Sequence, residues 1–152
     1  MLCEKRKMKF KVIILLLLMT IVTVANTPRH TSVDPIIQPY VDTLFKLTKG
    51  RIGQYYAIGF EDIPEERVLA NCRMTLISGD ISFDRDSWDS SSDRKRLLIL
   101  AHELGHCELG LEHKPDNRDV NDCPKHIMGP VMGSDTCVAT KFYDYIRQIS
   151  EK

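Results

Sequence analysis

Apolar side chains recur along this chain with a helical period, an alternating period, or no break at all, and these patterns divide it. From Val12 to Val24 the run is broken only by Thr20 and Thr23. Ile37, Tyr40, Val41, Leu44 and Leu47 then recur at helical spacing, with Asp34-Pro35 as cap and first helical residue and Gly50 as a stop. Pro39 is awkward inside a first turn begun that early, so the helix is also read as starting only there. Ile52 to Phe60 alternates through Tyr56, Ile58 and Phe60, and Val68 to Leu76 alternates through Ala70, Cys72 and Met74. Both predict strands. The acidic stretch from Glu61 to Glu66 between them reads as a solvated loop. Ser78-Gly79 ends the second strand, and Asp80 to Asp84, with Ile81 and Phe83, predicts a third.

The longest helical pattern comes next. Ser90-Ser91-Ser92-Asp93 is an N-cap region, and the helix is expected from about Ser91 to Leu109. Arg94-Lys95-Arg96 makes a solvated first turn. Leu97, Leu100, Ala101, Leu104 and Cys107 form one apolar stripe, with Leu98, Ile99 and Leu109 on the other side. A helix that is apolar nearly all round is central to its domain. Trp88, just before it, reads as a residue packing against it. His113 to Asp122 is polar and predicts a surface loop, with calcium binding a minor alternative that lacks EF-hand spacing. Gly129-Pro130 marks a turn, and Phe142, Tyr145, Ile146 and Ile149 predict a closing helix. The expected fold class is α+β, with a small, mostly antiparallel or mixed sheet of three or four strands around a central helix.

Charge and cysteine usage change the picture at the start of the chain. A basic segment through Lys11 precedes the apolar run, which is too short for a comfortable membrane span of ~20 residues. Thr23-Val24-Ala25 offers a signal-peptidase site before Asn26. Residues 1–25 therefore read as a signal peptide, or less readily an uncleaved N-terminal anchor, and 26–152 as one domain. Localisation is expected to be secreted, periplasmic or otherwise extracytoplasmic, with membrane association only if the leader stays. The whole chain has 21 basic and 21 acidic residues; without the five basic and one acidic of 1–25, 16 and 20 remain. That acidic balance argues against a nucleic-acid partner. Cys72, Cys107, Cys123 and Cys137 remain after the leader, an even number suited to an oxidising compartment. Three full pairings are open, and Cys107 could equally be a buried free thiol.

The candidate chemistry lies in His102-Glu103-Leu104-Gly105-His106. Residues four apart on a helix sit roughly 40° apart around the axis and about 6 Å along it, so His102 and His106 can meet one ion. Glu103 is one step round and can take a proton from water instead of ligating. Gly110 can adopt a left-handed C-cap conformation and turn the chain so that His113 returns as a third ligand. A three-ligand zinc site keeps its fourth position open for catalysis.

HExxH with a later glycine and histidine, followed by Ile127-Met128-Gly129, resembles the metzincin clan of zinc metalloproteases. Within it, the His-Glu-Leu-Gly-His-Cys run at 102–107 is similar to that of small secreted bacterial metallopeptidases. The resemblance implies a minimal metzincin-like zincin domain with a central active-site helix, a Met-turn at Met128 and a C-terminal helix. It implies Zn2+ held by His102, His106 and His113, and Glu103 as the catalytic base. The reaction would be hydrolysis of a peptide or protein substrate, by a chain expected to be monomeric. An edge strand before the helix, either 80–84 or part of 72–77, would pair with an extended substrate. The chain departs from the clan's spacing by one residue, since His106 to Gly110 is four steps and not three. His126 therefore competes with His113 for the third position, and Glu112 or Asp116 would complete a carboxylate-containing site. Met132 is a second Met-turn candidate. A Cys123–Cys137 bridge around the Met-turn is favoured, with a chain-entropy gain of roughly 3 kcal/mol. A non-catalytic zinc-binding protein and a zinc hydrolase with a non-peptide substrate are the alternative functions.

Overall fold

The computed structural model describes residues 32–52, 56–64, 68–74 and 79–152. The leader expected over 1–25 lies outside them, as do residues 53–55 and 75–76 of the expected strands. In chain order the described elements are β1 (Ser32–Val33), α1 (Gln38–Leu47), β2 (Tyr56–Phe60), β3 (Ala70–Met74), β4 (Gly79–Phe83), α2 (Arg85–Asp89), α3 (Asp93–Cys107) and α4 (Asp135–Ser150). The strands form one sheet in the order β1-β2-β4-β3, with β3 alone antiparallel to its neighbour. The domain is thus α+β with a small mixed sheet, as expected at that level.

Local chemistry accounts for where the elements begin and end. Asp34 opens a turn rather than a helix: its carboxylate accepts from the Ile36 N–H at 2.8 Å, and its carbonyl accepts from Ile37 and Gln38. α1 itself starts at Gln38, so Pro39 falls in the first turn, where its missing N–H costs nothing. Two elements went unforeseen. Ser32–Val33, to which the sequence assigns no element, pairs with β2, and the Asp34 N–H extends the pairing to the Ile58 carbonyl at 2.8 Å. Asp84 is not the last residue of a strand but the N-cap of α2, accepting from the Ser87 N–H at 2.8 Å. Two residues of strand and five of helix are too few to show a period.

The sheet order rules out 80–84 as the edge strand and leaves the alternative, part of 72–77, of which β3 contains 72–74. β4, which covers most of 80–84, lies inside the sheet between β2 and β3. Among the described residues the edge next to the long helix is β3. Its alternation fades outward: Ala70 is buried and Met74 is 58% exposed.

α3 is the centre of the packing. Ser92 caps it, and ten of its fifteen residues, from Leu97 to Cys107, are buried. It packs against β3 and β4, α1 and α4, which is why it needs apolar residues on every side. Trp88 joins this core, edge-on to Tyr40 and Phe83 at centroid distances of 5.0 and 4.8 Å. Arg96 is not a solvated first-turn cation. Its guanidinium donates to the Trp88 and Asp89 carbonyls at 2.9 and 3.1 Å and to the Tyr40 hydroxyl at 2.8 Å. One side chain thereby fastens α1 and α2 to the start of α3.

Two disulfides close the domain, which suits an oxidising environment. Cys123–Cys137 is the favoured bridge, joining the segment before Met128 to the first turn of α4. Cys72–Cys107 is the second, so Cys107 is no free thiol; it ties edge strand β3 to the last residue of α3. No helix among the described residues is long and apolar enough to cross a membrane.

Met128 is buried against Gly105, in the middle of the HExxH segment. A Cβ built on Gly105 would lie 2.7 Å from the Met128 sulfur and 3.2 Å from Ile149 Cδ1. Gly105→Ala gains up to about 1 kcal/mol in helix propensity but loses roughly 1–3 kcal/mol to overpacking. A net destabilisation on the order of 1 kcal/mol is expected from urea unfolding. A more stable variant would show that Met128 is not held against the helix.

Candidate metal centre

His102 and His106 sit on successive turns of α3, and the way this helix ends decides where the chain goes next. α1 closes with the Gly50 N–H on the Phe45 carbonyl, five residues back, as in a Schellman motif, with Lys49 at φ 55°. α3 closes more widely. Its Leu111 N–H reaches the Gly105 carbonyl at 3.0 Å, six residues back, with Gly110 at φ 60°. The residues between His106 and Gly110 therefore lie within the closing turn itself. The Leu111 carbonyl then accepts from His106 Nδ1 at 2.6 Å, and the Lys114 N–H donates to the Met128 carbonyl at 2.7 Å. His113 stands between these two anchors.

The result is a three-histidine group, His102, His106 and His113, that could hold a metal ion. His102 Nε2 lies 3.0 Å from His106 Nε2 and 3.2 Å from His113 Nε2. The ring centroids are 4.6 to 5.2 Å apart. His102 Nδ1 points to the Ile127 carbonyl at 2.7 Å. A carbonyl oxygen only accepts, so Nδ1 of both His102 and His106 carries the proton and Nε2 presents a lone pair. Lone pairs gathered this closely repel unless a cation or proton lies among them. A tetrahedral ion ligated at ~2.0–2.1 Å spaces its nitrogens ~3.3–3.4 Å apart, within a few tenths of an ångström of the observed pairs. The donor set fits a borderline-soft divalent metal.

Electrostatics favour the ligating form of the rings. Burial pushes the His102 pKa down to about 4, against the raising effect of the Ile127 carbonyl, and its two histidine neighbours lower it further. His113 is lowered by burial and by His106. Neutral imidazole is the species that binds metal. Glu103, one residue from His102, is 7% exposed and makes no hydrogen bond or ion pair among the described residues. Burial raises its carboxyl to about 7.

Of the other ligand candidates, His126, Glu112 and Asp116 are all exposed and stand outside the three-histidine group. Asp116 is instead paired with Arg118. Asp119 accepts from the Asn121 and Cys123 N–H groups and pairs with Lys141, whose hydrogen bond is the largest cause holding its carboxyl down to about 2. The polar loop after His113 is thus pinned by its own charges. Met128 is buried; Met132, the other candidate, is only partly so.

Sequence reasoning missed the groups that hold these rings: two backbone carbonyls and Gln148 of α4. Gln148 Oε1 accepts from the Ile127 N–H and its Nε2 donates to the Lys125 carbonyl, both at 3.0 Å. Backbone acceptors carry no sequence signal, and a polar residue on an amphipathic helix looks solvated until its neighbour is known. No family model matches the chain, and no curated protein or solved structure matches it either.

His113→Ala should weaken zinc binding by at least ten-fold in a chelator competition, while His126→Ala should leave it within about two-fold, as expected when one of three imidazole ligands is lost. The opposite pattern would mean that the 124–129 segment supplies the third ligand.

Proposed function

We propose that this chain is an exported zinc metallopeptidase of metzincin type. The observation that carries the reading is the convergence of three imidazole Nε2 atoms, two with Nδ1 fixed on backbone carbonyls, beside a buried Glu103 whose carboxylate has no partner among the described residues. A structural zinc site closes with a fourth protein ligand, whereas this group offers three among the described residues. Zinc in such a setting supplies Lewis acidity and lowers the pKa of water toward ~7.

The chain's own groups would divide the remaining work. Glu103 takes the proton of the attacking water as the C–O bond forms, then passes it to the amine as the C–N bond breaks. Its apolar surroundings suit both roles, because they let the carboxyl hold a proton between the two steps. His102 and His106 keep their orientation through Ile127 and Leu111, so the ligating atoms need no rearrangement. Met128, packed on Gly105 within the histidine-bearing helix, is the residue that would serve as the clan's Met-turn. Among the described residues β3 is an edge strand, where an extended peptide would add, and the Cys72–Cys107 bridge fixes that edge to the end of the site helix. Export through a cleaved leader would agree with the two disulfides.

The purified chain should carry about one zinc per molecule and cleave members of a diverse peptide pool until a chelator is added. Glu103→Gln should keep the zinc and lose turnover by roughly 10²–10⁴-fold, since it removes a base and not a ligand. Stoichiometric zinc without any peptide cleavage would favour a binding protein or a hydrolase of another substrate class. No zinc after refolding with the metal would end the reading, and full activity in Glu103→Gln would remove that residue from the mechanism.

A further inference from the structure

The C-terminal helix contributes a side chain that no motif marks. Gln148 presents its carboxamide to the segment before Met128 and makes two hydrogen bonds, accepting from the Ile127 N–H and donating to the Lys125 carbonyl, both at 3.0 Å. Only one orientation of the amide satisfies both, because an N–H needs an oxygen and a carbonyl needs an NH2 group. Two bonds to backbone groups two residues apart fix both the position and the tilt of this stretch. The next polar atom along it is the Ile127 carbonyl, which accepts from His102 Nδ1 at 2.7 Å. One turn earlier on α4, the Tyr145 hydroxyl donates to the Pro124 carbonyl at 2.5 Å, so the segment is held at both ends from the same helix. Ile149, the neighbour of Gln148, packs on Gly105 between the two α3 histidines. α4 therefore braces the site helix from one side and the His102 acceptor from the other.

We infer that Gln148 is a positioning residue for His102: by clamping residues 125–127 it holds the Ile127 carbonyl where it fixes the His102 tautomer and aims Nε2 at His106 and His113. The inference rests on the metal-centre reading for its purpose, but the hydrogen-bond relay can be tested without metal. Outer partners that orient a ligating imidazole typically change metal affinity about 10–100-fold when removed.

The test uses the full mature chain and Gln148→Met, which keeps side-chain length and loses both hydrogen bonds. In metal-free protein at a pH of about 8, where imidazole is neutral, nitrogen-resolved NMR of wild type should show His102 as the Nδ1–H tautomer with a slowly exchanging proton. In Gln148→Met that proton should exchange at least ten-fold faster. Zinc affinity by chelator competition should fall about 10–100-fold. Gln148→Glu, which retains the acceptor for the Ile127 N–H, should recover most of the His102 signal and serves if Gln148→Met does not fold. Arg147→Ala, on the same helix and paired only with exposed Asp144 and Glu151, should change neither readout. An unchanged His102 proton in a folded Gln148→Met overturns the inference, whatever the zinc affinity. A changed His102 proton in a chain that binds no zinc supports the relay and removes the metal-centre reading instead.

Discussion

The hydrogen bond from His102 Nδ1 to the Ile127 carbonyl joins two parts of the chain that have no local reason to meet. One is the buried helix α3; the other is an irregular segment 25 residues further on. The bond chooses the tautomer of a ligand-type histidine and also satisfies a carbonyl brought close to the core. Buried polar groups without partners are costly, so the placement of the 124–128 segment and the chemistry of His102 depend on each other. Met128 and Gly105 add the steric half of the same constraint. The thioether occupies the space that a side chain at 105 would fill.

Around that junction the architecture reads as a set of braces on one helix. The sheet and α1 cover parts of α3, and α4 covers another. Arg96 fastens its start, and the Cys72–Cys107 bridge fastens its end. Cys123–Cys137 closes the loop that carries Ile127 and Met128 onto α4. A site whose ligands come from one helix and the turn after it needs little else to be rigid. Here the supporting groups are denser than the three histidines alone would demand. They hold the orientation and tautomer of the imidazoles.

The wide closure of α3 decides where the chain after the helix goes. An extra residue on a continuing helix would swing the next side chain by about 100°. The chain avoids this by stopping the helix at Cys107 and bridging six residues from Gly105 to Leu111. His113 then reaches the other two rings.

Taken alone, the sequence determined the elements whose patterns are long. α3 was legible because period and capping agree along it, α4 through the helical spacing of Phe142, Tyr145, Ile146 and Ile149, and the pairing of His102 with His106 because a four-residue spacing is intrinsic to a helix. The Cys123–Cys137 pairing was accessible through local order along the chain. Tertiary structure decided the rest, because the deciding forces act between residues distant in sequence. It chose His113 over His126 through anchors at Leu111 and Lys114, paired Cys72 with Cys107 by laying β3 beside the end of α3, and put β4 inside the sheet. It also turned Arg96 and Gln148, which a linear reading leaves to solvent, into clamps on backbone carbonyls. Backbone acceptors are the same at every residue, so only the fold can say which of them a side chain will find.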